Sequence, residues 1–214
     1  MAIASNLKAT QNSLPKEVTL VAVSKTKPNT AILEAYNAGQ RVFGENKVQE
    51  LVQKAEELPK DIAWHMIGHL QTNKVKIIAP FVALIHGVDS LKLLKEINKR
   101  AEQNNRIIDC LLQVHIATES SKFGCGIEEV ESALNQAEEF KNIRITGLMG
   151  MATFTDDTQQ VAQEFKSLKT VFDSIKNEHI TTLSMGMSGD YKLAIEQGST
   201  MIRVGSAIFG HRNK

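Results

Sequence analysis

Several things are scarce in this 214-residue chain, and each scarcity excludes something. It has two cysteines, Cys110 and Cys125, with no CxxC pair and no histidine-rich surroundings. They build neither a disulfide framework nor a zinc site. Excess charge of one sign is missing too: 25 Lys and Arg stand against 24 Asp and Glu, a formal net charge of +1. With no basic patch interleaved with aromatics, nucleic acid and acidic membrane surfaces are not expected partners. No apolar run approaches the ~20 residues that span a bilayer, and the N-terminal "MAIASNLKATQNSLPKE" holds no run of signal-peptide length. A cytoplasmic, reduced protein is expected. Low-complexity segments and linkers are lacking as well, so residues 1–214 are expected to form a single domain, with residues 1–15 as a helical lead-in.

What is present is an alternation of short apolar runs with longer amphipathic stretches. "TLVAVSK", "RVFGEN", "AWHMIG", "VALIHGV", "IIDCLLQVHIA", "IRITGLMGMA", "TTLSMGMS" and "TMIRVGSAIFG" read as eight strands. The stretches between them read as seven helices. Asn29 or Thr30 is expected to cap the first of these and Gly39 to stop it, and Asp89 or Ser90 to cap the fourth. Strand then helix, repeated without hairpin signals, means parallel strands with helical crossovers. Eight units close a (β/α)8 TIM-type barrel, the expected fold; a doubly wound open sheet is the runner-up.

In such a barrel, reactive side chains gather where strands end. Alternation in "LVAVSK" places Val21, Val23 and Lys25 on one side, so an inward Lys25 would stand above an apolar floor. Desolvation there favours the neutral, nucleophilic amine that forms imines. The plainer alternative is a solvated charge beside Lys27. After the seventh strand, Ser188 and Gly189 are expected to open a helix with free N–H groups facing the mouth. After the eighth, Arg203-Val204-Gly205-Ser206 forms a second small-residue turn. These are the loops where barrels of this kind bind phosphate, although small-residue pairs are common in any turn. An imine-forming amine together with a phosphate cradle points to a phosphorylated aldehyde or ketone, either pyridoxal 5′-phosphate or a sugar phosphate. His65, His69, His86 and His115 show no metal-ligand spacing, and strand histidines usually serve as hydrogen-bonded core residues. Met149, Met151, Met185 and Met187 read as flexible packing around the mouth.

The segments "AVSKTKP", "FGENKVQE", "WHMIGHLQTNK", "SSKFG", "GLMGMAT" and "LSMGMSGDYKLAIEQGSTMIRVGSAIFG" resemble, in order and over nearly the whole chain, the pyridoxal-phosphate homeostasis protein family (the YggS-like proteins). The resemblance implies the barrel of the alanine racemase N-terminal domain without its C-terminal β-domain. It implies pyridoxal 5′-phosphate carried on Lys25 as a Schiff base (an internal aldimine). Ser188, Gly189, Gly205 and Ser206 would hold the phosphate, Arg203 would face the pyridine nitrogen, and Asn46 would contact the ring. Met149, Lys122 and His65 are accessory candidates, and no catalytic residue or metal is assigned.

The resemblance further implies a role in vitamin B6 homeostasis, buffering or delivering the cofactor to apo-enzymes, without substantial catalysis. Racemisation needs a second base on the opposite face of the substrate. Racemases of this fold take a tyrosine for that role from an additional β-domain of the partner subunit. This chain runs only to residue 214, four positions past Gly210, so that domain is expected to be absent. Tyr36 and Tyr191 fall in predicted helices and are poor substitutes. A low-activity racemase-like enzyme is the alternative, a cofactor-free Schiff-base aldolase a second, and a scaffold that binds a partner protein a third. A monomer is expected.

Overall fold

The short apolar runs pair because neither face of a central parallel strand meets water, so Val, Ile and Leu can fill both sides. In a computed structural model of the chain, which describes residues 3–119 and 123–210, this produces a closed eight-stranded parallel barrel. The chain order is α1 (Ile3–Asn12), β1 (Thr19–Val23), α2 (Asn29–Asn37), β2 (Val42–Glu45), α3 (Val48–Glu57), β3 (Ala63–Met66) and α4 (Val75–Ile78). It continues β4 (Leu84–Val88), α5 (Leu91–Gln103), β5 (Ile108–Val114), α6 (Val130–Ala137), β6 (Ile143–Gly150) and α7 (Thr158–Ile175). It ends β7 (Thr182–Met187), α8 (Tyr191–Glu196), β8 (Met201–Val204) and α9 (Ser206–Phe209). Closure comes from β1 pairing with β8, Val21 opposite Arg203.

Strand alternation divides the apolar residues into two cores. Inside the barrel, Val21, Val23, Ile67, Leu84, Leu111, Met149 and Met201 fill the lumen. Between strands and helices lies the larger core, with Leu20, Ala22, Phe43, Met66, Ile85, Leu112 and Leu148 facing outward onto helical residues such as Ile32, Leu51, Leu94 and Phe165. The helix α1 docks at the end of the chain, where the Asn6 side chain donates to Ile208 O.

The eight strands and seven intervening helices match the sequence reading, and the differences are local. The first intervening helix starts at Asn29 itself, with Pro28 at the cap position and no side-chain cap bond. Proline pre-sets the backbone for a helix start, and that substitutes for the expected Asn or Thr cap. Ser90 does cap α5, its Oγ accepting from Leu93 N at 3.3 Å. The helix expected over "QTNKVKIIAP" shrinks to one 3-10 turn and four α residues. Ser188 and Gly189 do not open a helix; they lie in the turn before α8, which starts at Tyr191. Asp190 Oδ1 accepts from Met187 N at 2.6 Å, and this local bond favours a turn over another helical residue. No helix among the described residues is long and apolar enough to cross a membrane.

Candidate cofactor-binding site

The strand ends surround a cavity of about 870 Å³, within the size range usual for ligand pockets. Lys25, Asn46, Ser188, Gly189, Arg203, Gly205 and Ser206 all line it, together with Val23, Ile67, His69, Gln113, Phe123, Met151, Phe154 and Met187. All seven residues assigned to cofactor binding from sequence therefore share one mouth. Met149 and His65 do not line it. Met149 is fully buried in the lumen below, and His65 lies on β3 in the barrel interior. Lys122 falls outside the described residues.

The half-buried Lys25 sits just past β1, and its backbone is held from both sides. Ser24 Oγ donates to Glu45 Oε1 at 2.6 Å, and Lys54 Nζ donates to Ser24 O at 2.9 Å and to Glu45 Oε1 at 2.7 Å. Thr26, at φ 63°, donates its N–H to Glu50 Oε2 at 2.7 Å. Lys27 Nζ donates to Phe209 O and Gly210 O, 3.0 Å each. Glu45, Glu50 and Lys54 all come from the "FGENKVQELVQK" stretch, so this segment clamps the turn that carries Lys25. The Ser24–Glu45–Lys54 part of the clamp is buried, and desolvation pushes the Glu45 carboxyl above its ordinary value, with Lys54 and Ser24 opposing.

Across the mouth, Arg203, next to the last residue of β8, is only 3% exposed. Nη1 donates to Ser184 Oγ at 2.6 Å and Nη2 to Gly150 O at 3.1 Å. Among the described residues no carboxylate forms an ion pair with it. Burial pushes the guanidinium down to about 10, with Asp190 opposing, so it stays charged at neutral pH. A buried cation without a counter-charge is costly unless a ligand meets it.

The two small-residue turns stand beside it. Gly205 donates its N–H to Ser188 Oγ at 3.0 Å, linking them. Among the described residues, the N–H groups of Ser188, Gly189, Ser206 and Ala207 make no backbone hydrogen bond. A Cβ at Gly189 would meet nothing within 4 Å, so the backbone lies open to the cavity. Amide donors, a buried cation, a lysine and apolar walls fit a phosphorylated aromatic aldehyde.

Gln113 and His69 were not singled out as binding residues from sequence. Gln113 is buried on β5 and donates from Nε2 to Phe123 O at 2.8 Å. Its signal was present: a polar residue on the same face of "LLQV" as Leu111. The His69 ring stacks on Phe123, centroids 3.9 Å apart, and Nδ1 lies 3.3 Å from Asp89 Oδ2. That pairing joins three loops, and spacing along the chain could not reveal it. Among the described residues no group of three metal-ligating side chains is found.

The profile of the family described as "Alanine racemase, N-terminal domain" matches residues 1–213. The chain is similar to the pyridoxal phosphate homeostasis protein of Aquifex aeolicus (strain VF5), 40% identical over 90% of this chain and 86% of that protein. It is likewise similar to the protein of that name from Escherichia coli (strain K12), 39% identical over 93% and 88%. Two solved structures of PipY from Synechococcus elongatus PCC7942 superpose on 97% of this chain and 100% of theirs. The one without PLP has a TM-score of 0.92 at 37% identity, and the one with PLP bound 0.89 at 36%. The alanine racemase from E. faecalis, 19% identical with a TM-score of 0.80, shares the barrel fold, which spans 58% of that longer chain. By profile, by sequence and by superposition, this chain belongs to the pyridoxal phosphate homeostasis protein family, built on the alanine racemase N-terminal domain.

Proposed function

We propose that this protein binds pyridoxal 5′-phosphate in the barrel mouth, with Lys25 as the point of covalent attachment. It holds the cofactor and releases it to apo-enzymes, in the cytoplasm and as a monomer, without substantial turnover. The observation that carries this reading is Arg203: a buried cation with no carboxylate partner among the described residues, lining the same cavity as Lys25 and two turns with open backbone amides. The names of its relatives, and the PLP-bound state of PipY, support the ligand.

When bound, the group supplies an aldehyde and an aromatic ring that can take up electrons. The chain's own residues determine how much of that is used. Lys25 supplies the amine. Ser188, Gly189, Gly205 and Ser206 offer amide and hydroxyl donors to an anion. A guanidinium only donates, so Arg203 keeps a proton off any ring nitrogen that faces it. An unprotonated ring is a poor electron sink, which suits storage. No tyrosine lines the mouth among the described residues: Tyr36, on α2, donates its OH to Asp61, and Tyr191 lines a neighbouring hollow.

Purified protein supplied with the cofactor is expected to absorb near about 420 nm, the usual band of a lysine-bound pyridoxal group. Borohydride reduction and peptide mapping should find the label on Lys25, and Lys25→Ala should lose the band. Label on another lysine, or no band, overturns the reading.

His69 favours a second reading, a slow racemase-like enzyme, because its Asp89 partner and mouth position suit an acid–base group. Incubation with D- and L-amino acids in deuterated water separates the two. Storage predicts retention of the α-proton; a rapid loss abolished by His69→Gln establishes catalysis.

A further inference from the structure

Arg203 is one end of a line of polar side chains that crosses the barrel lumen from β8 to β3. Arg203 Nη1 lies 2.6 Å from Ser184 Oγ, Ser184 Oγ 3.0 Å from His86 Nδ1, and His86 Nε2 3.0 Å from His65 Nδ1. All four residues are buried, Ser184 and His86 completely. The two rings tilt by 49° at 5.1 Å between centroids.

The line has a direction set by chemistry. A guanidinium has N–H groups and no acceptor, so Ser184 Oγ must accept from Arg203. The hydroxyl's own proton has no other acceptor among the described residues, so it goes to His86 Nδ1, which must be bare. A neutral imidazole has one N–H, so that of His86 is on Nε2 and is donated to His65 Nδ1. His65 therefore carries its proton on Nε2. Every link is used once, and every member beyond Arg203 is neutral. Adding a proton to His86 Nδ1 would take up the second lone pair of Ser184 Oγ, strand the hydroxyl proton without an acceptor and set a second buried cation beside the first.

The surroundings favour this state. The charged or titratable groups facing the line are Arg203 from β8, His86 from β4 and His65 from β3, with Asp190 acting on Arg203 from beyond β7. Gln113 on β5 is uncharged. Burial lowers His65 to about 4, and burial, with repulsion from His65 whenever it is protonated and from the Arg203 charge, lowers His86 well below its ordinary value.

We propose that Ser184, His86 and His65 are positioning residues for Arg203: a neutral, one-directional hydrogen-bond chain that anchors the guanidinium at the mouth without cancelling its charge. A carboxylate at the Ser184 position would hold the guanidinium as firmly but would neutralise it and compete with an acceptor ligand. The purpose assigned to the chain rests on the cofactor reading above. Its direction does not.

Side-chain ¹⁵N NMR of the ligand-free protein reads the direction. His86 is expected with bare Nδ1 and protonated Nε2, His65 likewise, both unchanged between about pH 6 and 8, within the range where an ordinary histidine titrates. A proton on His86 Nδ1, or titration of either ring in that window, overturns the chain. Ser184→Ala reads the purpose. It should release His86 into mixed tautomers and weaken pyridoxal 5′-phosphate binding about tenfold, roughly the effect of one charge-assisted hydrogen bond. It should also make the cofactor band pH-dependent. Ser184→Thr, which keeps the hydroxyl, should restore both signals, whereas a purely packing role would be indifferent to the hydroxyl. Wild-type affinity and band in a folded Ser184→Ala variant overturn the positioning role. Failure of the wild type to take up any cofactor, with the histidine signals as expected, removes the proposed function while the chain's direction stands.

Discussion

Lys54 shows how one residue can hold a site that it does not line. Its ammonium is buried and donates to Glu45, to Glu50 and to the carbonyl of Ser24, the residue before Lys25. Replacing it strands a completely buried carboxylate whose other oxygen, Oε2, already has no partner among the described residues. Lys54→Met should therefore cost about 3–5 kcal/mol in urea unfolding, the usual penalty for breaking a buried pair from one side. Glu45→Gln in the same chain should recover part of that loss, because the stranded group is then neutral. At this scale the place of Lys25 in the mouth was legible in sequence from the alternation in "LVAVSK", although a solvated charge beside Lys27 was the plainer reading of its position. Its clamp was not: Glu45, Glu50 and Lys54 read as ordinary helix and strand charges until α3 packs against β1 and β2.

The element scale has its own constraint where β6 meets β7. A Cβ at Gly147 would lie 1.7 Å from Thr182 O, so the strands approach more closely there than any side chain allows. Gly147→Ala should force the strands apart and lower stability by about 3 kcal/mol or more, in the upper range for overpacking, as measured by chemical denaturation. A milder effect belongs to α7. Asp157 Oδ1 accepts from Gln159 N and Gln160 N at 3.0 and 3.1 Å, and Asp157→Ala should cost about 1 kcal/mol. The alternation of strand and helix was legible because periods of 2 and 3.6 persist over enough residues to be told apart. Element ends were less so. Pro28 holds the cap position of α2 with no side-chain cap bond, and the turn that keeps Ser188 and Gly189 out of α8 is decided by the single Asp190 bond to Met187 N.

For the whole molecule, the buried histidines link folding to pH. His65 titrates near 4 when folded and near 6.5 when unfolded, so between those values the unfolded chain binds the extra proton. Stability should then fall on acidification from about pH 6.5 to about pH 4, by roughly 3 kcal/mol from His65. His86 acts in the same direction. Glu45, whose pKa is raised, acts oppositely: just above its ordinary value the folded state holds the extra proton, and acidification there helps. Two histidines outweigh one carboxyl, so the net slope is a loss toward acid, and His65→Gln should flatten it in pH-dependent denaturation. Ligand linkage is the second global effect. Cofactor at a hundred times its dissociation constant should add about 2.7 kcal/mol to folding stability, and Lys25→Ala at the same concentration should gain much less.

By itself the sequence determined the eight-unit barrel, the absence of metal-ligand spacings and the strand-end residues from which a mouth could be built. Those follow from periodicity and order, which are local properties of a chain. Only the tertiary structure decided that Arg203 is buried with no counter-ion among the described residues, that Ser184, His86 and His65 join it in one line, and that His69 stacks on Phe123 beside Asp89. Each of these is a contact between side chains from different βα units, up to 98 residues apart in the hydrogen bond between His86 and Ser184. Closing the barrel sets those distances, and no pattern along the chain encodes them.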